Sequence, residues 1–180
     1  TSPSTLGSWS GGNANQINAA LNNGSFLLLH RDHGYEQGWG EPDYSNSSLS
    51  GLDNEYLTFV YSVNCLTGKF NYGGECFAEA FYRHPKRALG IIAASEVSYS
   101  FVNDTYVWGA FDNMWPEFMP GYGSTPEPRG LLPAFRNAAG KFFLEQSAWP
   151  YNEDNKEVTY HLFHHFGDAF STLFSEVPQE

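Results

Sequence analysis

Ser25-Phe26-Leu27-Leu28-Leu29-His30-Arg31-Asp32-His33-Gly34 and Tyr56-Leu57-Thr58-Phe59-Val60-Tyr61-Ser62-Val63-Asn64-Cys65-Leu66-Thr67-Gly68 are apolar runs that read as β-strands over Ser25–His30 and Tyr56–Val63, and each ends in a reactive residue. Ala88-Leu89-Gly90-Ile91-Ile92-Ala93-Ala94 reads as a third strand. These runs are continuously apolar. That is the pattern of a mainly parallel sheet covered on both faces. In open α/β sheets, ligands and chemistry sit just beyond the carboxyl ends of strands. His33 and Cys65 both stand at such ends. A base beside a thiol is the minimum equipment for catalysis by a thiolate nucleophile.

Helical segments surround these strands. Asn13 can cap a short helix with Ile17, Ala20 and Leu21 on one face, closed by Gly24. Trp9-Ser10-Gly11-Gly12 before it reads as a turn. Gly34–Ser48 reads as a mobile loop holding Gly38, Trp39 and Gly40. A helix runs from near Cys76 to about Arg83, and another covers about Thr105–Glu117. Pro126 and Pro128 start a third, with Leu131, Leu132, Phe135, Ala138, Phe142 and Phe143 at amphipathic spacing. A last helix covers about Lys156–His165, ended by Gly167-Asp168. There is no internal repeat and no low-complexity linker, so residues 1–180 read as one domain.

A chain of 180 residues with 41% hydrophobic content can bury a real core. The net charge of −11 argues against nucleic acid and anionic membrane as main partners. No apolar run is long enough to make a transmembrane segment. Abundant Asn and only nine Lys and Arg are a flavour common in exported bacterial proteins. Asn46-Ser47-Ser48 and Asn103-Asp104-Thr105 match the N-glycosylation acceptor pattern, which carries no meaning in a bacterial source. Thr1-Ser2-Pro3-Ser4-Thr5 reads as the middle of a longer protein.

After Cys65 come Gly68-Lys69-Phe70-Asn71-Tyr72 and Glu75-Cys76-Phe77-Ala78-Glu79-Ala80-Phe81-Tyr82-Arg83. The ordered blocks His-Gly, Cys-x-x-Gly-x-Phe and Cys-Phe-Ala-Glu-Ala resemble the gingipain family of caspase-like cysteine peptidases, peptidase family C25. The resemblance runs from about Gly24 to Tyr99 and resumes near Gly167-Asp168. It implies a caspase-like three-layer α/β/α fold, of which this chain is the carboxyl-terminal half of the catalytic domain. It implies a cysteine-type endopeptidase with Cys65 as nucleophile and His33 as the base that later protonates the leaving amine. Gly34 and Cys65 would give their backbone N–H groups to the oxyanion hole. No cofactor is required for that chemistry. The expected partners are a protein or peptide substrate and the amino-terminal fragment of the same precursor. The expected location is secreted, periplasmic or cell-surface.

Each assignment has a plainer alternative. Cys65 and Cys76 could form one disulfide or be two inert thiols. Cys76 could sit at a helix N-terminus, where a thiol can acidify, but the family carries a Cys there without using it, so it reads as packing. His30 exemplifies a satisfied histidine with no catalytic part. Asp104 falls where the lysine-specific gingipain has its specificity carboxylate. It would pair with a substrate Lys or Arg, with Phe101 or Trp108 over the aliphatic stem. Equally, Asp104 would be the N-cap of a helix starting at Thr105. The acid that orients the histidine in the family comes from the missing half. Asp32 is expected to point to the opposite face from His33.

Two other classes compete. His30, His33, His161, His164 and His165 could serve a zinc hydrolase, with His161 and His165 spaced i and i+4 on a helix, but no His-Glu-x-x-His is present. Five Trp and eleven Tyr could serve a non-catalytic ligand or carbohydrate-binding module, although such density is more often core. Structural calcium could be held by loops such as Asn152-Glu153-Asp154-Asn155.

Overall fold

The computed structural model describes residues 11–86, 88–115, 118, 132–148 and 153–173. Its centre is a four-stranded sheet of β1 (Leu27–His30), β5 (Thr58–Ser62), β6 (Ala88–Ala94) and β7 (Phe163–Gly167), in that order. β1 runs parallel to β5 with Leu27 opposite Phe59 and His30 opposite Ser62. β5 runs parallel to β6, with Val60 opposite Ile91. Every residue of β5 is buried, which is why its sequence does not alternate.

Both faces of the sheet are covered. Phe59, Tyr61, Ile92 and Ala94 face α3 (Ser100–Met114), α4 (Pro133–Gln146) and α5 (Glu153–Leu162). Val60, Ile91 and Ala93 face α1 (Ala14–Asn22) and α2 (Phe77–Arg83). This is a three-layer α/β/α architecture with a mainly parallel sheet, as the strand pattern predicts. α3 and α4 approach closely because each has a glycine at the crossing. A Cβ on Gly140 would stand 2.7 Å from Tyr106 O.

The α1 cap follows the sequence. Asn13 Oδ1 accepts the Gln16 N–H at 3.1 Å, and the Gln16 side chain accepts the Asn13 N–H in return. Gly24 takes φ +93° just beyond the helix. The buried face is Ala14, Ile17, Asn18 and Leu21, whereas Ala20 is exposed.

Several expectations need correction. Gly34–Ser48 forms a small meander of β2 (Gly34–Tyr35), β3 (Gly38–Trp39) and β4 (Tyr44–Ser45). Trp39 is buried at its centre, stacked between His30 and Tyr44. The helix placed at Thr105–Glu117 runs Ser100–Met114 with Tyr99 as N-cap. The last helix ends at Leu162. Phe-His-His-Phe-Gly then continues as β7, antiparallel to β6 with Ile92 opposite His165. Pairing with β6 overrides local helix propensity there. Trp9, Ser10, Pro126, Pro128 and Leu131 lie outside the described residues.

Candidate active site

The register of β1 and β5 builds the site. His30 is opposite Ser62, and the Val63 N–H donates to His30 O at 2.8 Å, so the two strands stay paired to their ends. His33 and Cys65 each stand three residues beyond that register pair. Gly34 shows how near the two ends come. A Cβ there would lie 2.7 Å from Cys65 O and 2.5 Å from Asn64 Oδ1, so only glycine lets the chains pass.

Beyond Cys65 the chain turns sharply. Leu66 takes φ 64°, the left-handed region that side chains rarely adopt. The turn is fastened to the end of β6. Leu66 N–H donates to Glu96 O at 3.3 Å and Gly68 N–H to Ala94 O at 2.8 Å. Helix α2 clamps both ends from below, because its first amides find carbonyls in each. Phe77 N–H donates to Glu36 O, and Ala78 N–H to Thr67 O.

The Cys65 sulfur is partly exposed and lies against Ser98. It accepts the Ser98 N–H at 3.4 Å, and Ser98 Oγ is held by Asn103 Nδ2 at 2.7 Å. The thiol in turn reaches Ser98 O at 3.6 Å, so the Ser98 backbone holds the sulfur from both its N–H and its carbonyl. Among the described residues, the Cys65 N–H itself makes no hydrogen bond. His33 projects into solvent with its side chain 90% accessible. Asp32 does not turn to the opposite face as expected. Its Oδ1 accepts the His33 N–H at 2.7 Å and stands 3.9 Å from His33 Nε2.

Cys76 differs from Cys65 in exposure. Both thiols are free, so the disulfide alternative falls. Cys76 is fully buried against Phe77 and Phe81 neighbours in the core, and desolvation pushes its thiol up to about 11.

Asp104 is not a helix cap. It lies inside α3, where its carboxylate receives Arg31 Nε at 2.6 Å and Nη2 at 2.9 Å. Arg31 Nη2 also donates to Ser100 O. Phe101 is 66% exposed beside this pair, whereas Trp108 packs against the core.

The other candidate groups disperse. His161 lies in the last turn of α5, while His164 and His165 alternate across β7. His164 Nε2 meets Ser95 Oγ, and His165 lies against the Phe59 ring. His30 stacks on Trp39 and bonds through both ring nitrogens. No group of three or more His, Cys, Asp or Glu gathers for a metal among the described residues. Glu153, Asp154 and Asn155 open helix α5 rather than a loop, and Asn152 lies outside the described residues. Trp39 is core, and Trp108 and Trp115 pack against the core, so none of the three is a flat exposed platform.

An α/β/α domain with a thiol and an imidazole at neighbouring parallel strand ends has the ground plan of the caspase-like cysteine peptidases. The chain belongs to peptidase family C25, whose family model matches residues 1–174. It is 34% identical over 89 residues to Gingipain R2 of Porphyromonas gingivalis, covering 47% of this chain and 12% of that protein. Gingipain R1 of the same organism is 33% identical over a stretch covering 47% of this chain and 9% of that protein. The fold matches the crystal structure of the Arg-specific cysteine proteinase gingipain R with TM-score 0.74 and 23% identity, over 92% of this chain and 37% of that one. It matches a complex of Porphyromonas gingivalis RgpB pro- and mature domains with TM-score 0.76 over 92% of this chain and 38% of that one. This chain thus spans only a fraction of the length of the relatives it matches.

Proposed function

We propose that this protein is a cysteine endopeptidase that cleaves peptide bonds through a Cys65–His33 dyad. The observation that carries this reading is the β1–β5 register, which brings the two strand ends so close that a Cβ on Gly34 would stand 2.7 Å from Cys65 O. The Cys65 thiolate attacks the scissile carbonyl, and His33 gives a proton to the leaving amine. A thioester acyl-enzyme remains, which water then hydrolyses with His33 as base. The N–H groups of Gly34 and Cys65 receive the oxyanion, and among the described residues the Cys65 N–H is uncommitted. The reaction uses no cofactor.

Asp104 supplies a carboxylate for a substrate Lys or Arg before the scissile bond, provided Arg31 gives way. Phe101 offers an apolar wall beside it. Trp108, turned to the core, has no such part. β1 is an edge strand of the sheet, with Leu29 exposed on it and Phe26 exposed just before it. An amino-terminal fragment of the same precursor pairs there and covers the apolar side chains. Location outside the cytoplasm, secreted or at a bacterial cell surface, suits the composition. No helix among the described residues is long and apolar enough to cross a membrane.

The test is hydrolysis of fluorogenic peptides by wild type and Cys65→Ala. Turnover confined to the wild type supports the reading, and equal turnover by both overturns it.

A further inference from the structure

The two strand ends are joined underneath by a buried polar cluster that the proposed reaction does not use. Ser62 ends β5 and Asn64 follows two residues on, so the extended chain turns both to one face. His30, the last residue of β1, is the register partner of Ser62. Its ring stacks on Trp39, with centroids 4.3 Å apart and planes 3° from parallel. The hydrogen bonds fix its tautomer. His30 Nε2 lies 3.1 Å from Glu41 O, which can only accept, so Nε2 carries the proton. Nδ1 is then an acceptor, and Asn64 Nδ2 donates to it at 2.8 Å.

That bond orients the Asn64 amide. Its second N–H goes to Ser62 Oγ at 3.0 Å, and its Oδ1 accepts Thr67 Oγ1 at 2.7 Å. Ser62 Oγ in turn accepts the Trp39 Nε1–H at 2.8 Å. His30, Trp39, Ser62, Asn64 and Thr67 are buried, Glu41 is exposed and lends only its carbonyl, and each amide, imidazole and indole group named has its partner. His30, Trp39 and Glu41 come from the segment that carries His33. Ser62, Asn64 and Thr67 come from the segment that carries Cys65. A Cβ on Gly34 would stand 2.5 Å from Asn64 Oδ1.

We propose that Asn64 and His30 are a positioning pair, in which the Asn64 amide adjoining Cys65 docks on neutral His30 and so fixes the nucleophile's turn against the His33–Gly34 segment. The inference rests on the dyad reading. Neither residue reaches substrate, so their effect should appear in kcat and not in KM. A displacement of about 1 Å between reacting groups costs roughly a hundredfold in rate.

The experiment measures kcat, KM and melting temperature for wild type, Cys65→Ala, Asn64→Ala, His30→Asn and His30→Gln with one fluorogenic peptide. Asn at position 30 keeps an acceptor where Nδ1 stood. Gln there keeps instead the donor toward Glu41 O. Asn64→Ala should lower kcat about tenfold to a hundredfold at unchanged KM. His30→Asn should keep about ten times more of kcat than His30→Gln, even where both melt at the same temperature. A folded Asn64→Ala enzyme with wild-type kcat overturns the proposal. So do His30→Asn and His30→Gln with equal kcat, a comparison that stands even if Asn64→Ala does not fold. Wild-type turnover that depends on Cys65 but ignores these variants overturns this inference alone. Absence of any Cys65-dependent turnover overturns both it and the dyad.

Discussion

Arg31 grips Asp104 from the end of the histidine strand, its Nε and Nη2 on the two carboxylate oxygens at 2.6 and 2.9 Å. The pair is half-exposed, with side chains 38% and 29% accessible. A half-exposed ion pair is worth only about 0–1 kcal/mol. A substrate cation can therefore take Arg31's place at little cost, but with little net gain.

The first prediction concerns specificity. Wild type should favour Lys or Arg over an apolar residue before the scissile bond only weakly. Arg31→Ala leaves the carboxylate uncompensated, so preference for the basic peptide should rise about fivefold, equivalent to ~1 kcal/mol. Asp104→Asn in the same background should remove that rise. A peptide panel varying only that residue, read as kcat/KM, makes the measurement. An unchanged preference in Arg31→Ala would show that Asp104 does not meet substrate.

The second concerns Gly34. Alanine there places a methyl 2.7 Å from Cys65 O and 2.5 Å from Asn64 Oδ1. Backbone must move, and both strand ends move with it. kcat/KM should fall by about a hundredfold with the protein still folded by circular dichroism. Wild-type activity in Gly34→Ala would mean that the two ends are not held as closely as the register implies.

The third concerns the helical layer. Gly140→Ala sets a methyl 2.7 Å from Tyr106 O on α3, and overpacking of this kind costs about 1–3 kcal/mol. Urea unfolding should show the loss with an unchanged slope. No loss would place the α3–α4 contact wrongly.

The fourth concerns acid. Desolvation holds the imidazoles of His30, His164 and His165 below their ordinary range. Asp32 opposes this at His30, Asp168 opposes it at His165, and Lys141 reinforces it at His164. The unfolded chain, with imidazoles near 6.5, binds protons that the folded chain refuses. Stability from these groups is therefore complete above about pH 6.5 and declines as pH falls toward the folded values. Melting temperatures between pH 7.5 and 5 should fall, and His165→Gln should flatten the slope. A midpoint that rises on acidification over that range would contradict this.

The strands, and the placing of His33 and Cys65 beyond neighbouring strand ends, were legible because continuous apolar runs report a buried parallel sheet directly. Ala88–Ala94 matches residue for residue, and His33 and Cys65 stand at the predicted strand ends. β7 was not legible. His161-Leu162-Phe163-His164-His165 carries no period of its own, and only pairing with β6 makes its second half a strand. The meander was missed because two-residue strands leave no pattern, although Trp39 between glycines hinted at close packing. Asn64 and Arg31 were overlooked for a different reason. Their roles depend on partners from other segments, His30 and Asp104. The one local signal was Ser62 and Asn64 alternating where β5 ends.

The central claim is that Cys65, and not Cys76, is the nucleophile. The most direct measurement is mass spectrometry of the protein after reaction with a peptidyl chloromethyl ketone at neutral pH. Cys65 lies partly exposed with an N–H on its sulfur, whereas Cys76 is buried with its thiol pushed up to about 11. The account predicts one adduct, on Cys65, with activity lost in proportion to labelling. An adduct on Cys76 with Cys65 unmodified, or full activity after complete labelling of Cys65, would contradict it.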